Sequence, residues 1–361
     1  MDRETTYNFA AGPSTLPTAV LKTAAAEMLN YNGSGMSVME MSHRSKVYKA
    51  IFDETKERFK RLMNVPDTHE VLFLQGGGST QFSMIPLNLM GEDGCADYAV
   101  TGNFAKIAAN EAKKYGKVNI AADTSECSHT RIPAQSELAL DSGARYFYYC
   151  ANNTIYGTEW KYTPDTGSVP LCCDMSSDIC TRPVDFSKYA VVFAGAQKNI
   201  GPAGVTVAVV KKSLAGSELP CTPLMLSYKT MIDKDSMYNT PPCYSIYILG
   251  LVLKWIEQCG GIEAMERAKE KKSSLLYEAI DSSKLFYCPA ERESRSWMNV
   301  VFRTESAELD EEFHKAAASS GFVNIKGHRL VGGMRASCYN AMPLEGVERL
   351  ADFIVKFDRQ H

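Results

Sequence analysis

Short apolar runs alternate with longer amphipathic segments up to about residue 255, and this alternation is the strongest constraint on the fold. Such an order of elements favours a mostly parallel sheet covered by helices, in which ligands bind at the carboxyl ends of the strands. The predicted strands are 71–74, 96–100, 118–121, 145–150, 170–174, 191–194 and 205–210. The predicted helices between and before them include 18–29, 47–63, 80–90 and 104–115.

The pattern changes after about residue 255, where a long charged helix is predicted at 260–280. The elements predicted after it are strand 297–302, helix 308–320, strands 322–326 and 334–339, and helix 344–357. A chain of 361 residues is long enough for two domains. We expect an N-terminal arm and a large sheet domain over 1–255, and a small α+β domain over 256–361.

Charge and cysteine content exclude several classes of partner. The net charge of −3 is spread along the chain, which argues against binding to nucleic acid or to an anionic membrane. The 11 cysteines follow neither a disulfide framework nor a zinc-binding spacing, so we expect reduced thiols and no metal. The start of the chain lacks the features of a signal peptide, and no apolar run approaches about 18 residues. These features predict a cytoplasmic location.

A lysine follows one of the predicted buried strands. The segment VVFAGAQKNIGPAG (191–204) leads from apolar residues through small ones to Gln197 and Lys198. Lysine is rarely buried without a purpose, and a desolvated amine loses its proton readily and can attack a carbonyl group. Alternatively, the side chain extends from the strand end into solvent. This segment alone leaves both interpretations open.

An aspartate ends the predicted strand that precedes this lysine. In VPLCCDMSSDI (169–179) the apolar run ends at Asp174, and neighbouring parallel strands would bring Asp174 close to Lys198. The cofactor pyridoxal phosphate (PLP) needs a lysine amine and a carboxylate against its pyridine nitrogen. Asp174 could instead cap the following helix, and Asp178 competes for the same role.

Two other loops follow predicted strands. In FLQGGGSTQF (73–82), glycines and a helix start place free N–H groups around Gly78 and Ser79, where a phosphate could bind. The segment is neither a Walker loop nor a dinucleotide motif, and a tight turn with an ordinary Ser/Thr cap also explains it. In CANNTIYGTEW (150–160), the polar side chains around Thr154 could bond a cofactor ring or form an Asx-turn.

Arginines and histidines occur together in two segments. They are His43 and Arg44 in the Gly/Ser-rich loop 30–46, and His328, Arg329 and Arg335 in GHRLVGGMRAS (327–337). The guanidinium fork forms paired hydrogen bonds to a carboxylate or a phosphate. A substrate with two anionic ends would need two such groups. The alternative is a set of solvated surface ion pairs.

Taken in order, these segments resemble the phosphoserine aminotransferases. The matching motifs are YNFAAGPSTLP, MEMSHRS, LQGGGSTQF, NNTIYGTE, CDMSSDI, FAGAQKNIGPAG, YNTPPCYSIY and GHRLVGGMRASCYNAM. They extend from about residue 7 to the C-terminus, and the ordered set carries the resemblance rather than any one motif.

The resemblance implies an α/β fold, the aspartate-aminotransferase-like PLP fold of type I, with a large mostly parallel sheet domain, a small C-terminal α+β domain and a homodimer. It implies that L-glutamate and 3-phosphohydroxypyruvate are converted to O-phospho-L-serine and 2-oxoglutarate in serine biosynthesis. Whether 4-phosphohydroxythreonine is also a substrate is left open by the resemblance.

The resemblance also implies individual roles. Lys198 matches the lysine that forms a Schiff base with PLP, and Asp174 matches the partner of the pyridine nitrogen. The family's other cofactor contacts are matched by the following residues of the same chain: Gly78, Ser79, Phe104, Thr154 and Gln197. Asn239 and Thr240 match contacts that come from the second subunit. The substrate-binding residues match His43 and Arg44 across the dimer, His328 and Arg329 in the same pocket, and Arg335 at the α-carboxylate.

One position departs from the family pattern. The family usually has tryptophan in its TGxW segment, stacked on the pyridine ring, whereas TGNF places Phe104 there. Phenylalanine still offers a π-face but lacks the indole area and its N–H group. This departure bears on the strength of stacking and on the cofactor spectrum, rather than on the chemistry.

Two other classes of protein compete with this interpretation. Another type I PLP enzyme, such as a serine– or alanine–glyoxylate aminotransferase, would not need all four of His43, Arg44, His328 and Arg329. A desulfurase would need a reactive cysteine on a mobile loop, and Cys338 lies in a predicted strand. A nucleotide-binding module would leave Lys198 and Asp174 unexplained.

Overall fold

The computed structural model describes residues 2–361, which form nine α-helices and thirteen β-strands. The strands are β1 (Tyr7–Asn8), β2 (His69–Leu74), β3 (Cys95–Val100), β4 (Lys117–Asp123), β5 (Phe147–Cys150), β6 (Asn152–Asn153), β7 (Thr158–Glu159), β8 (Leu171–Asp174), β9 (Tyr189–Gly195), β10 (Thr206–Lys211), β11 (Asn299–Phe302), β12 (Phe322–Val323) and β13 (Met334–Ser337). The helices are α1 (Thr18–Glu27), α2 (Lys46–Met63), α3 (Gly77–Leu89), α4 (Asn103–Ala112), α5 (Tyr228–Asp233), α6 (Cys243–Gln258), α7 (Gly261–Asp281), α8 (Ala307–Ser319) and α9 (Leu344–Gln360).

A seven-stranded sheet with the order β2-β10-β9-β8-β5-β3-β4 forms the centre of the larger part of the chain. Strand β10 runs antiparallel to both of its neighbours, and the other adjacent pairs are parallel. The carboxyl ends of six strands therefore lie at the same edge. The predicted mostly parallel α/β fold is confirmed.

Both faces of this sheet are buried, which explains why its strands are continuous apolar runs. In β9, Val192 and Ala194 belong to the core shared with α2 and α6, whereas Phe193 belongs to the core shared with α3 and α4. Successive side chains of a strand point to opposite faces, and both faces are packed here, so the residues on both are apolar. The sheet is thereby a rigid support for whatever its carboxyl ends carry.

The C-terminal elements pack around a separate aromatic core. Phe313 is fully buried among four other phenylalanines, one of which is Phe302 of β11. The arm joins this core as well, because β1 pairs in parallel with β12 and places Tyr7 opposite Phe322. The expected boundary between 255 and 256 lies within α6, and Ile256, Ile262 and Met265 after it still pack in the core of the large sheet.

Several local expectations differ from the structure. Helix α3 begins at Gly77 rather than at 80, because Gly76 and Gly77 both have a positive φ that lets the chain turn directly from β2 into the helix. The strand expected at 322–326 ends at Val323, where Asn324 has a φ of 59°. Among residues 2–361, no helix combines the length and the apolar character that crossing a bilayer requires.

Candidate active site

The carboxyl edge of the sheet brings together predicted cofactor residues that follow five different strands. These are the turn after β2 (Gly78 and Ser79), Phe104 after β3, Thr154 after β5, Asp174 at the end of β8, and Lys198 after β9. The sequence-predicted cofactor residues from these five segments therefore lie at one edge.

The amine of Lys198 is held inside this group. Its Nζ donates a hydrogen bond of 2.8 Å to Oγ1 of Thr154 and lies 5.3 Å from the centroid of the Phe104 ring. Burial lowers the pKa of this amine below the ordinary lysine value, and the charge of Asp174 partly opposes that effect. A lysine with a lowered pKa has a larger neutral fraction, which is the nucleophilic and basic form.

The backbone around Lys198 is fixed by the N-terminal arm. The N–H of Ser14 donates to the carbonyl of Gln197 at 3.0 Å, and the Ser14 hydroxyl donates to the carbonyl of Lys198. A Cβ on Gly12 would lie 2.9 Å from Cγ of Lys198, so only glycine lets the arm pass this close to the lysine stem. The side chain of Gln197 folds back over Gly195, where a Cβ would lie 2.8 Å from its Oε1.

Asp174 is the carboxylate that acts most strongly on Lys198. It ends β8 opposite Phe193 of β9, and its Oδ1 accepts a 2.9 Å bond from the N–H of Ser176. Asp174 therefore also stabilises the turn that follows β8, as the alternative capping role in the sequence analysis expected. Burial raises the pKa of the carboxyl group, and Lys198 is the largest influence that opposes the rise. The competitor, Asp178, accepts a bond from Arg182 at 3.3 Å.

The glycine-rich turn after β2 presents free N–H groups. No side chain caps the start of α3, so the first-turn N–H groups of this helix can receive an anion. A Cβ on Gly78 would lie 3.4 Å from the ring of Phe193 and 3.7 Å from Oγ of Ser176. The turn therefore lies directly against the segments that carry Asp174 and Lys198.

Arg335 of β13 contributes a cation from the C-terminal part of the chain. Its Nη1 donates to the carbonyl of Thr154 at 3.4 Å, while its buried Nε has no hydrogen-bond partner within residues 2–361. Buried polar groups are normally paired, so an unpartnered guanidinium N–H beside Lys198 indicates a place for an anionic ligand. Burial lowers the pKa of His328, and the charges of Arg335 and Arg329 lower it further.

Four predicted site residues, His43, Arg44, Asn239 and Thr240, form no hydrogen bond with Lys198 or with Thr154 within residues 2–361. Arg44 is exposed in loop 30–46, next to the half-buried His43. The side chain of Gln75 donates to Oδ1 of Asn239 at 3.4 Å and to the carbonyl of Thr240 at 3.0 Å. These bonds place Asn239 and Thr240 beside the glycine-rich turn, where they could serve a second subunit.

A buried hydrogen-bond network behind the site was not predicted. Nδ2 of Asn152 donates to Oδ1 of Asn299 at 2.8 Å, and Nδ2 of Asn299 donates to Oγ of Ser337 at 2.9 Å and to the hydroxyl of Tyr339 at 3.3 Å. The network links the loop of Thr154 to β11 and to β13, which carries Arg335. The only sign of this network in the sequence is Asn299, a polar residue at the start of the otherwise apolar strand β11.

Comparisons with known proteins give one family. The sequence model of the class-V aminotransferases matches residues 6–350. The phosphoserine aminotransferase of Ectopseudomonas mendocina (strain ymp) is 49% identical over 98% of both chains, and that of Laribacter hongkongensis (strain HLHK9) is 49% identical over 99% of both. The solved phosphoserine aminotransferase from Bacillus circulans subsp. alkalophilus has a TM-score of 0.97 at 47% identity and covers 99% of both chains. A PLP-bound one from Trichomonas vaginalis has a TM-score of 0.93 at 39% identity and covers 97% of this chain and 99% of its own.

The electrostatic pairing of Asp174 with Lys198 predicts a further fall in the pKa of the Lys198 amine in Asp174→Asn, because the opposing carboxylate charge is removed. The measurement is the pH dependence of Lys198 acylation in cofactor-free protein, read by mass spectrometry. The matched control is Ser79→Ala, which changes an exposed hydroxyl at the same edge and leaves this charge in place. An unchanged titration in Asp174→Asn would contradict the pairing.

Proposed function

The chain belongs to the class-V aminotransferase family, and on that premise we propose phosphoserine transamination as its function. The protein is a PLP-dependent aminotransferase that transfers an amino group from L-glutamate to 3-phosphohydroxypyruvate, giving O-phospho-L-serine and 2-oxoglutarate in serine biosynthesis. The observation that carries this conclusion is the Lys198 amine beside the buried Asp174 carboxylate, at the strand ends of this fold.

The residues at the carboxyl edge fit PLP. The glycine-rich turn, with Gly78 lacking a side chain toward Phe193, offers N–H groups for the phosphate. Asp174 would hold the pyridine nitrogen, Phe104 would contact the ring face, and Lys198 would hold the cofactor covalently. When bound, PLP supplies the electron-withdrawing ring that makes the α-hydrogen of an amino acid acidic.

Lys198 is the proposed acid–base group. Burial keeps part of its amine neutral, so Nζ can accept the α-proton of the substrate, and its protonated form can return a proton. The hydroxyl of Thr154, which accepts the 2.8 Å bond from Nζ, orients the amine. With PLP bound, the carboxylate of Asp174 would stabilise a positive charge at the pyridine nitrogen.

Two anion-binding groups account for the two ends of each substrate. Arg335 is the proposed clamp on the α-carboxylate, because its Nε is buried and unpartnered within residues 2–361. His43, Arg44, His328 and Arg329 are the proposed contacts of the distal anion. A guanidinium group accepts a phosphate or a carboxylate in the same paired geometry, so one pocket can serve both 3-phosphohydroxypyruvate and glutamate.

We propose a homodimer with shared sites because four predicted site residues form no hydrogen bond with Lys198 within residues 2–361 of their own chain. They are His43, Arg44, Asn239 and Thr240. Large apolar side chains are exposed close to them: Met39, four residues before His43, is 59% exposed, Tyr238, next to Asn239, is 41% exposed, and Met225, which lines the same cavity as Asn239, is 36% exposed. Apolar groups concentrated around functional residues indicate a protein–protein interface, and a two-fold dimer would use both surfaces.

A cytoplasmic location and the division of the chain into two domains near residue 255 also remain proposals.

Substrate choice tests the function itself. In coupled turnover we expect phosphoserine with 2-oxoglutarate to exceed serine with glyoxylate by roughly 100-fold or more in kcat/KM, because the phosphate gains charge-assisted hydrogen bonds. Comparable rates with the two substrate pairs would contradict the assignment and favour a glyoxylate aminotransferase.

The division of roles among the arginines predicts different losses. Arg335→Ala should lower kcat/KM roughly 100-fold for both phosphoserine and glutamate, since both carry the α-carboxylate. Arg44→Ala should affect phosphoserine more than glutamate, because a dianionic phosphate depends more on the distal cations. Steady-state kinetics with each amino donor measures both effects, and an equal pattern of losses in the two variants would rule out this division.

Shared sites predict complementation between two defective chains. We expect a 1:1 mixture of Lys198→Ala and Arg44→Ala subunits, unfolded and refolded together, to regain about a quarter of wild-type activity. About half of the dimers would be mixed, and each would contain one site with both native residues. Each variant refolded alone is the control, and a mixture no more active than the mean of the two controls would show that Arg44 serves its own chain.

A further inference from the structure

Five charged side chains lie together between the sheet and helix α7, with Lys161 and Arg182 at the partly exposed edge of the cluster. Three of them are almost inaccessible, with Glu159, Asp178 and Lys269 exposed by 0%, 2% and 1%. Lys161 and Arg182 complete the cluster, which therefore holds three cations and two carboxylates. Charged groups are rarely buried unless they are paired, so this cluster requires an explanation.

Direct contacts satisfy only part of the cluster. Oε2 of Glu159 accepts a bond of 2.7 Å from the N–H of Trp297 and one of 3.1 Å from Nζ of Lys161. Nη2 of Arg182 donates to Oδ2 of Asp178 at 3.3 Å. Lys161 lies against the indole face of Trp297, with its Nζ 3.6 Å from the ring centroid.

Two carboxylate oxygens and one ammonium nitrogen of the cluster have no hydrogen-bond partner within residues 2–361. They are Oε1 of Glu159, Oδ1 of Asp178 and Nζ of Lys269. The ammonium of Lys269 also lies 4.6 Å from the centroid of the Trp297 ring, which stabilises a cation. Burial lowers the pKa of the Lys269 amine, and the charges of Glu159 and Asp178 oppose that fall, because charges in a medium of low dielectric constant act over longer distances than a hydrogen bond.

The two carboxylates belong to the segments that carry the proposed cofactor contacts. Asp178 closes the turn that starts at Asp174, and its N–H donates to the carbonyl of Met175 at 3.1 Å. Glu159 follows Thr158, whose hydroxyl accepts a 3.1 Å bond from Asn153, the residue before Thr154. Lys269, in contrast, lies on α7, after the expected domain boundary.

We propose that Lys269 is a positioning residue whose buried ammonium, balanced by Glu159 and Asp178, holds the turn of Asp174 and the hairpin of Thr154 against helix α7. The inference rests on the proposed function and adds to it a contribution from a residue that touches neither substrate nor cofactor. Without this charge, two buried carboxylates would face only Lys161 and Arg182.

The ionisation of Asp178 supplies a pH-dependent signature. Burial raises the pKa of this carboxyl to about 6, Arg182 lowers it, Glu159 raises it and Lys269 lowers it. Lys198, Cys150 and Cys173 also lie within its electrostatic reach, and burial lowers the pKa of Lys161 in the same cluster to about 8. Because the folded pKa lies above the ordinary value of 3.8, the contribution of Asp178 to stability falls as the pH rises from about 4 to about 6. Removing Lys269 raises this pKa further, which extends the fall above pH 6.

The test compares Lys269→Met, Asp178→Asn and the double variant with wild type. Lys271→Met is the matched control, since it removes a lysine from an exposed position of the same helix. Two readouts are measured for each protein. They are kcat and KM of the PLP-loaded enzyme with phosphoserine, and the urea midpoint of the cofactor-free protein at pH 6 and pH 8.

We expect Lys269→Met to lower kcat about tenfold with KM changed less than about twofold, because positioning of the reacting groups is lost while substrate contacts remain. Its deficit in urea midpoint relative to wild type should be larger at pH 8 than at pH 6. Adding Asp178→Asn, which removes one of the two carboxylates that lose the attraction of Lys269, should return part of the lost kcat.

Three results would overturn the inference. They are a kcat for Lys269→Met equal to that of Lys271→Met, a midpoint deficit that is the same at both pH values, and a double variant whose loss equals the product of the single losses. If Lys269→Met does not fold, recovery of folded double variant supports the inference and failure to recover it contradicts it. Wild-type turnover with phosphoserine tests the function separately, so the two claims can fail independently.

Discussion

The site depends on two opposite charges held at the ends of adjacent parallel strands. Asp174 closes β8 and Lys198 follows β9, so the register of these two strands fixes the distance between a half-buried lysine and a buried carboxylate. Burial alone would neutralise each group, and each reduces that effect in the other. A rigid sheet with apolar residues on both faces is what keeps the pair in register.

The rest of the chain completes this pair from outside the sheet. The arm passes over the lysine stem at Gly12 and binds the adjacent carbonyl groups through Ser14. Arg335 enters from β13, and the asparagine network joins its strand to the loop of Thr154. Because β1 also pairs with β12, the arm and the C-terminal elements support the site as one body. The function of the protein as a PLP-dependent aminotransferase follows from this arrangement and from its family.

Sequence patterns predicted the parts of the site that local order determines. The end of a buried strand can be recognised in sequence as the last residue of an apolar run. For that reason the sequence alone predicts that Asp174 and Lys198 lie close together. Contacts between distant segments have no such signature, and the pairing of β1 with β12 and the network around Asn299 were missed for that reason. Lys269 was missed because a buried lysine on a charged helix looks the same in sequence as a solvated one. The early start of α3 depends on the positive φ of Gly76 and Gly77, which sequence permits but does not require.

The covalent role of Lys198 is the claim on which the rest depends, and one mass measurement tests it most directly. The wild-type protein is loaded with PLP, kept free of substrate, reduced with borohydride and digested. We predict a phosphopyridoxyl mass increment on the peptide that contains Lys198, lost in Lys198→Ala, since this amine combines burial, a lowered pKa and the neighbouring Asp174. An unmodified Lys198 peptide in fully loaded protein would contradict the account.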